Sequence, residues 1–336
     1  MIDERERAAA EVFLHSAPTG SGRILVVDDQ TGLLGPGLES MGWTVHHWRR
    51  MSGPLGPASA WPEGRAFDAA CVRLSKDKAA FEMALHAAAS VLKPEVPVWV
   101  YGANDEGIKS AAKRMTTVCD PVTVVDARRH CRVLEGHLRS DPTHLKSSLE
   151  DWATTCQLEF EDSVIAQRSY PGVFAKGRLD PGTKLLLSTL PALGEADVVL
   201  DYAAGSGVIG LGLKQRQPEL TLTLLEADAV ALEAAKHNLP DATAVLGHTL
   251  KDLPNSAPFD TIVANPPYHS GKARSTAVIA HLIQGAPEHL SGGGSLWMVL
   301  QSQVDVLTEL NAHFESVEVA AHDRRYKVWR ASTAKC

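Results

Sequence analysis

The sequence predicts an α/β protein made of two tandem, doubly wound domains, and three observations carry that reading. Short apolar runs that end in an acidic residue alternate with helical segments, the pattern of strands and crossover helices in a sheet covered on both faces. The first half of the chain repeats the plan of the second. At 336 residues, with 44% hydrophobic and 22% charged side chains, the chain has the length and the apolar content for two cores.

The second half reads most clearly. Ala196–Asp201 is a short apolar run closing on an acid, and Tyr202–Gly210 follows as a glycine-rich turn and the start of a helix. Leu220–Leu225 predicts a second strand ending in Glu226, and the alanine-rich stretch Ala229–Asn238 a helix. A third strand, Phe259–Ala264, stops at Asn265-Pro266-Pro267-Tyr268. A helix is expected over Ala277–Leu290, a turn at Gly292-Gly293-Gly294, then a strand over Ser295–Leu300. Ser316–Val319 and Tyr326–Arg330 predict two strands joined by a polar turn.

The first half shows the same order with its chemistry removed. Arg23–Asp28 is a strand ending in an acid, and Gly32 follows Asp28 by four residues as Gly205 follows Asp201. On that spacing Leu33 and Leu34 stand where the second half has Ser206 and Gly207, and a leucine there blocks close approach of a ligand to the backbone. Five residues after Asp68 stands Arg73; five after Asp260 stands Asn265. The reading is an old duplication in which one copy lost its site; the alternative is the loose similarity of any two α/β domains. Residues 1–145 and 156–336 are the expected domains, with Asp141–Thr155 as the link.

Charge and cysteine content exclude several classes. Lys and Arg number 33 against 40 Asp and Glu, which argues against a protein that coats nucleic acid without specificity but neither supports nor excludes a nucleic-acid substrate. Residues 1–150 carry 18 basic and 19 acidic side chains and the remainder 15 and 21, which places the acidic excess in the second half. No apolar run reaches about 18 residues, so no membrane span is expected, and the charged N-terminus shows no secretory signal. The five cysteines (Cys71, Cys119, Cys131, Cys156, Cys336) form no C-x-x-C pair. They fit a reducing cytoplasm, with neither a disulfide framework nor a metal site.

Two segments carry chemistry. Gly205–Gly210 matches G-x-G-x-x-G, and Glu226 lies where a ribose-binding acid closes the second strand of a nucleotide-binding fold. A dinucleotide would place pyrophosphate on the helix N-terminus. Asp201, four residues before the first glycine, suits the ammonium of S-adenosylmethionine better. Asn265-Pro266-Pro267-Tyr268 is the stronger signal. Two prolines stiffen the loop and leave its carbonyls free to accept. The Asn oxygen and a proline carbonyl can then hold the two hydrogens of a planar amino group while Tyr268 stacks on the ring that bears it. Such acceptors orient the nitrogen lone pair of a weakly nucleophilic aromatic amine.

These residues resemble the class I methyltransferases that act on nitrogen. Tyr170–Leu187, with Pro171-Gly172-Val173-Phe174 and Leu179-Asp180-Pro181-Gly182-Thr183, is similar to the segment before the glycine turn in the ribosomal RNA small subunit methyltransferase C family. Tyr101–Ser110, Asp126–Arg129 and Arg325–Ala331 extend the resemblance over nearly the whole chain. It implies two tandem Rossmann-like class I methyltransferase domains, the N-terminal one degenerate. It further implies methyl transfer from S-adenosylmethionine to the exocyclic N2 of a guanine in small-subunit ribosomal RNA. A first half that positions RNA and covers apolar surface of the second, as another subunit would, predicts a monomer, and the cysteine usage a cytoplasmic one. Asp201, Ala203, Gly205, Gly207, Glu226, Ala227, His248, Phe174, Thr183 and Asn265 are the implied cofactor residues. Asn265, Pro266, Pro267 and Tyr268 are the implied catalytic ones.

The chain departs from the family in three places. Ala203 stands where glycine is usual, Tyr268 where phenylalanine is common, and Gln301–Val306 replaces an Asn-x-Phe-Leu-Pro-Tyr segment. His248 has two readings, an adenine contact or a plain loop residue. Lys176, Arg178, Arg128 and Arg129 are candidate contacts to RNA phosphate, against the alternative of a solvated basic face. Other functions remain open at this level. They are methylation of a DNA base or a protein glutamine, and a non-catalytic ribosome-assembly factor of the same fold.

Overall fold

The computed structural model describes residues 3–140, 144–161, 163–194, 197–254, 258–267 and 272–333. The chain divides into two compact units, Met1–Ala153 and Thr154–Cys336. Residues 146–152, read from sequence as part of the link, are held within the first unit. The Lys146 N–H donates to Nδ1 of His86 at 3.1 Å, and buried Trp152 meets the His86 ring edge-on.

In the first unit the order is α1 (Glu4–Ser16), β1 (Gly22–Val27), α2 (Leu34–Ser40), β2 (Trp43–Trp48), β3 (Ala69–Arg73), α3 (Lys78–Ala89), β4 (Pro97–Ala103), α4 (Ile108–Met115), β5 (Cys119–Arg128) and β6 (Cys131–Leu138). The sheet runs β2-β1-β3-β4-β6-β5, parallel except for β6, which is antiparallel to both neighbours. Every residue of β3 is buried, as a strand covered on both faces requires. Phe13, Ile24, Val26 and Leu38 belong to the apolar layer on one face, and Leu25, Val27, Phe81 and Ile108 to that on the other.

The second unit opens with a separate hairpin, β7 (Thr154–Phe160) and β8 (Ser163–Ser169). Then come α5 (Pro181–Thr189), β9 (Val198–Tyr202), α6 (Val208–Arg216), β10 (Thr221–Glu226), α7 (Ala229–Asn238), β11 (Thr243–Leu246), β12 (Phe259–Ala264), α8 (Lys272–His289), β13 (Leu290–Gln301), α9 (Leu307–His313), β14 (Ser316–His322) and β15 (Tyr326–Ser332). The sheet runs β11-β10-β9-β12-β13-β15-β14. Apart from β11 this is the order of the first sheet, and β15 again runs antiparallel to both neighbours. The duplication read from sequence is therefore present in the topology.

Three details differ from the sequence reading. Helix α8 begins at Lys272 rather than Ala277, because its first turn is polar and carries no apolar periodicity. Gly292-Gly293-Gly294 lies inside β13 rather than in a turn before it. The pairing with β12 shifts there, and a Cβ on Gly294 would sit 2.9 Å from the Ser291 carbonyl oxygen, so the glycines serve a close backbone approach.

The third concerns how the two halves align. Val27 pairs with Val72 as Tyr202 pairs with Ala264, and the next residue in each chain, Asp28 and Ala203, is left-handed, at φ 56° and 58°. Asp28 is thus the counterpart of Ala203, and Val26 that of Asp201. Gly32 (φ 69°) then takes the place of Gly207 (φ 81°), four residues on in both copies, rather than that of Gly205. The strand ends where the backbone turns left-handed; the position of the acid does not mark it.

Candidate active site

The parallel strands of the second unit point their C-terminal ends at one edge of the sheet. The chain turns outward in opposite senses there from β9 and β12, the usual crevice for a ligand in such sheets. Ala264 pairs with Tyr202, so the glycine turn after β9 and the Asn265 loop after β12 emerge side by side.

The glycine turn is shaped by its own backbone. Gly207 caps α6, its N–H donates to the Ala204 carbonyl at 2.8 Å, and a Cβ there would meet Leu239 at 2.9 Å. Gly205, at φ 58°, faces open space with nothing within 4 Å of an added Cβ. Ala203 is strained, because a left-handed backbone costs an L-residue of this kind about 1 kcal/mol or more.

Two carboxyls lie beneath this turn. Asp201 is wholly enclosed; its Oδ2 accepts from the Gly210 N–H at 3.2 Å, while Oδ1 has no hydrogen-bond partner among the described residues. Burial pushes the Asp201 carboxyl up to about 8, and the Glu226 charge adds to the rise. Glu226 closes β10, accepting from the Gly205 N–H at 2.6 Å and the Asp228 N–H at 2.8 Å. Burial, helped by the Asp228 charge, raises it to about 7. Ala227 follows, half-buried. His248 stands past β11 with its side chain 40% exposed, its N–H and Nδ1 both close to Asp252 Oδ2, and its carbonyl accepting from the Tyr202 hydroxyl.

Asn265 is half-buried at the end of β12. Its Nδ2 donates to Thr183 Oγ1 at 2.9 Å and to Asp180 Oδ2 at 3.2 Å. Pro266 is buried and Pro267 exposed. Asp180 caps α5, accepting from the Thr183 N–H at 3.1 Å, with Pro181 at the first helical position. Tyr268 and the Lys176 side chain lie outside the described residues. Phe174 is 59% exposed in the short 3-10 turn Phe174–Gly177, and Arg178 just after it is exposed.

In the first unit Arg128 pairs with Asp126 at 2.9 Å and Arg129 with Glu11 at 2.6 Å, so these cations are engaged by acids. Sequence reasoning gave no role to Asp180, although an Asp-Pro pair opening a helix is a cap signature. Nor did it single out Gln167 or Asn238. Buried Gln167 donates to Ser206 Oγ, and Asn238 bonds both the Arg168 backbone and the Ser206 carbonyl, fastening the β7–β8 hairpin to the glycine turn. A surface cavity of about 280 Å³ between Asp197, Asp260 and Gly293 lies at the opposite sheet edge and includes none of these groups. Among the described residues no three or more His, Cys, Asp or Glu gather as metal ligands, and no helix is long and apolar enough to cross a membrane.

Fold and site together define a class I methyltransferase architecture, present twice in one chain. The family model described as methyltransferase small domain matches residues 165–330, and its N-terminal companion matches residues 35–156. Curated relatives named ribosomal RNA small subunit methyltransferase C include that of Shewanella pealeana, 32% identical over 80% of this chain and 78% of the relative. That of Pectobacterium atrosepticum is 31% identical over 97% of this chain and 95% of the relative. A solved structure of a T. thermophilus 16S rRNA N2 G1207 methyltransferase, in complex with AdoMet and guanosine, superposes with a TM-score of 0.83 at 22% identity, over 97% of this chain and 92% of that one. The chain belongs to the ribosomal RNA small subunit methyltransferase C family.

Proposed function

We propose that the second unit transfers a methyl group from S-adenosylmethionine to the exocyclic N2 of a guanine in 16S-type ribosomal RNA, free or in the small subunit. The observation that carries this reading is the pairing of Ala264 with Tyr202, which sets the Asn265-Pro266-Pro267 loop beside the glycine turn. Relatives over nearly the full length bear the corresponding name, and the similar T. thermophilus enzyme was solved with AdoMet and guanosine.

The residues present fit that cofactor. The open face of Gly205 admits close approach, and Asp201 Oδ1, buried and without a partner among the described residues, belongs to a carboxyl that a cation bound beneath the turn would draw from its protonated into its charged form. In this reading Glu226 accepts from ribose hydroxyls, and Ala203, Gly207, Ala227, His248, Phe174 and Thr183 are the further cofactor residues. When bound, S-adenosylmethionine supplies an electrophilic methyl group on a sulfonium. Asn265 Oδ1 and a carbonyl of the Pro266-Pro267 pair accept the two hydrogens of the target amine and turn its lone pair outward. They stabilise the positive charge that develops on nitrogen as it becomes pyramidal. No strong base is needed, since the amine proton becomes acidic only as the new bond forms. Tyr268 supplies a stacking face, and Lys176 or Arg178 reaches phosphate.

The first unit positions RNA and binds no cofactor; Arg128 and Arg129 serve there only where phosphate displaces their acids. The enzyme acts as a cytoplasmic monomer. Incubation with labelled S-adenosylmethionine and either 16S rRNA or small subunits, followed by nucleoside mass spectrometry, tests the reading. The expected product is N2-methylguanosine. A methylated DNA base or protein glutamine would replace the substrate, and RNA binding without methylation would leave an assembly factor.

A further inference from the structure

We propose that Asp180 is a positioning residue that fixes the side-chain amide of Asn265 with its oxygen toward the target amine. The inference rests on the functional reading above and concerns how that site is oriented. An asparagine amide can be inserted either way round, and the two orientations have opposite chemistry: one presents an acceptor to the substrate, the other a pair of donors. An amine with two hydrogens to be held needs the acceptor.

The structure supplies the groups that decide between them. Nδ2 of Asn265 has two hydrogens, and it is within hydrogen-bond distance of two acceptors, Thr183 Oγ1 at 2.9 Å and Asp180 Oδ2 at 3.2 Å. In the reversed amide, Asn265 Oδ1 would face the Asp180 oxygen, lone pair against lone pair. Asp180 is itself held, because the same Oδ2 accepts from the Thr183 N–H at 3.1 Å as the cap of α5. The carboxylate therefore ties the helix start and the amide orientation to one atom.

The first unit provides an independent observation. Helix α1 is also capped by an aspartate, Asp3, and three residues on stands Glu6, as Thr183 stands three after Asp180. Glu6 Oε2 accepts from Nε of Arg73 at 2.7 Å, and Arg73 ends β3 where Asn265 follows β12. In both copies the first turn of the capped helix grips the side chain at the end of the same strand. That grip belongs to the architecture, and in the second unit it falls on an amide whose direction matters.

Asp180→Asn tests the proposal, because asparagine caps a helix nearly as well and preserves shape. Its own amide can donate to Asn265 Oδ1, which makes the reversed orientation favourable. We expect kcat on ribosomal RNA to fall about 10²-fold. The KM for RNA and the Kd for S-adenosylmethionine should stay within a few-fold. Thr183→Val should lower kcat less, and Thr183→Ser should restore it. A second readout needs no turnover. The Asn265 side-chain NH2 pair, identified in amide spectra by its loss in Asn265→Asp, should be protected from exchange in the wild type and exposed in Asp180→Asn. Absence of methyl transfer by the wild type would overturn the functional reading, and the amide spectra would then decide the orientation alone. With an active wild type, an unchanged kcat in Asp180→Asn overturns the proposal, and so does an NH2 pair indifferent to that substitution.

Discussion

Arg73 in the first unit and Asn265 in the second occupy the same place in the same fold, and the surroundings of each show what was exchanged. Arg73 is enclosed, its side chain 5% exposed, with Nε on Glu6 at 2.7 Å and Nη2 on Glu106 at 2.7 Å. Burial alone would lower its pKa, but the Glu6 and Glu106 carboxylates together more than offset that and hold the guanidinium charged. Asn265 uses its two donors on Thr183 and Asp180 and stays half-buried, with its acceptor uncommitted by either contact. The same alignment puts Arg49, directly after β2, in the place of Glu226. At Arg73 one copy has turned its ligand edge into an ion cluster satisfied by two glutamates, although the buried Arg49 Nε lacks a partner among the described residues. The other keeps polar groups in reserve, with the enclosed Asp201 Oδ1 as the clearest case.

That contrast breaks if the two sites respond alike to substitution. Arg73→Ala should produce the largest effect. Removing one partner of a buried ion cluster leaves charges without compensation and costs about 3–5 kcal/mol. Chemical denaturation should show the loss in the transition of the first unit, while kcat of the folded enzyme stays near wild type. Asn265→Ala should do the reverse, with turnover down about 10²–10³-fold, or about 3–4 kcal/mol. Cofactor titration should remain within a few-fold, and thermal unfolding should hardly move. A collapse of Tm in Asn265→Ala with unchanged turnover would make it another structural residue like Arg73.

Smaller effects sharpen the comparison. Asp201→Ala and Glu226→Ala should each weaken S-adenosylmethionine binding by about 1–3 kcal/mol, read by calorimetry. Unchanged affinity in both would remove the cofactor from this edge. Their titration has a definite sign. Burial raises both carboxyls above the unfolded values of about 4. The ligand-free folded state thus keeps protons that the unfolded chain releases from about pH 4 upward. This contribution to stability is fully present below pH 4 and is lost as pH rises through about 7 for Glu226 and about 8 for Asp201. Melting curves from pH 4 to 9 should show the decline, flattened in Asp201→Asn. The smallest effect is at the left-handed residues. Ala203→Gly should stabilise by about 1 kcal/mol, whereas Asp28→Gly should not, because Asp28 Oδ1 also accepts from the Arg50 N–H at 3.0 Å.

How much of this was legible in the sequence depends on distance along the chain. Strands β9, β10 and β12 were readable because a short apolar run closing on a polar residue is a local signal. The Asn-Pro-Pro loop was readable because two prolines fix their own backbone. The alignment of the halves went astray by two residues because side chains were matched, Asp28 to Asp201, while the structure matches backbone conformation. Asp180 carried a visible cap signature, but its contact with Asn265 spans 85 positions and no local pattern encodes it. The ion pair of Arg129 escaped for the same reason, since Glu11 lies 118 residues away; Asp126, the partner of Arg128, stands only two residues from it and was within local reach.

The Arg73 cluster also bears on how a duplicated chain evolves. Returning asparagine to that position in one step would strand Glu106, 5% exposed, and Glu6 without their cation. Replacing either glutamate first leaves the arginine one carboxylate, and the next loss, of the arginine or of the second glutamate, strands the charge that remains. Every single-residue route back therefore crosses an intermediate carrying an unpaired charge, a buried one unless Glu6 is the last to go. The penalty, about 3–5 kcal/mol, is a large share of the 5–15 kcal/mol that holds a typical domain folded. Loss of the ancestral site therefore works as a ratchet. Once the ion cluster had closed, selection for folding alone would keep the first copy from regaining its chemistry, whatever advantage a second active site might confer.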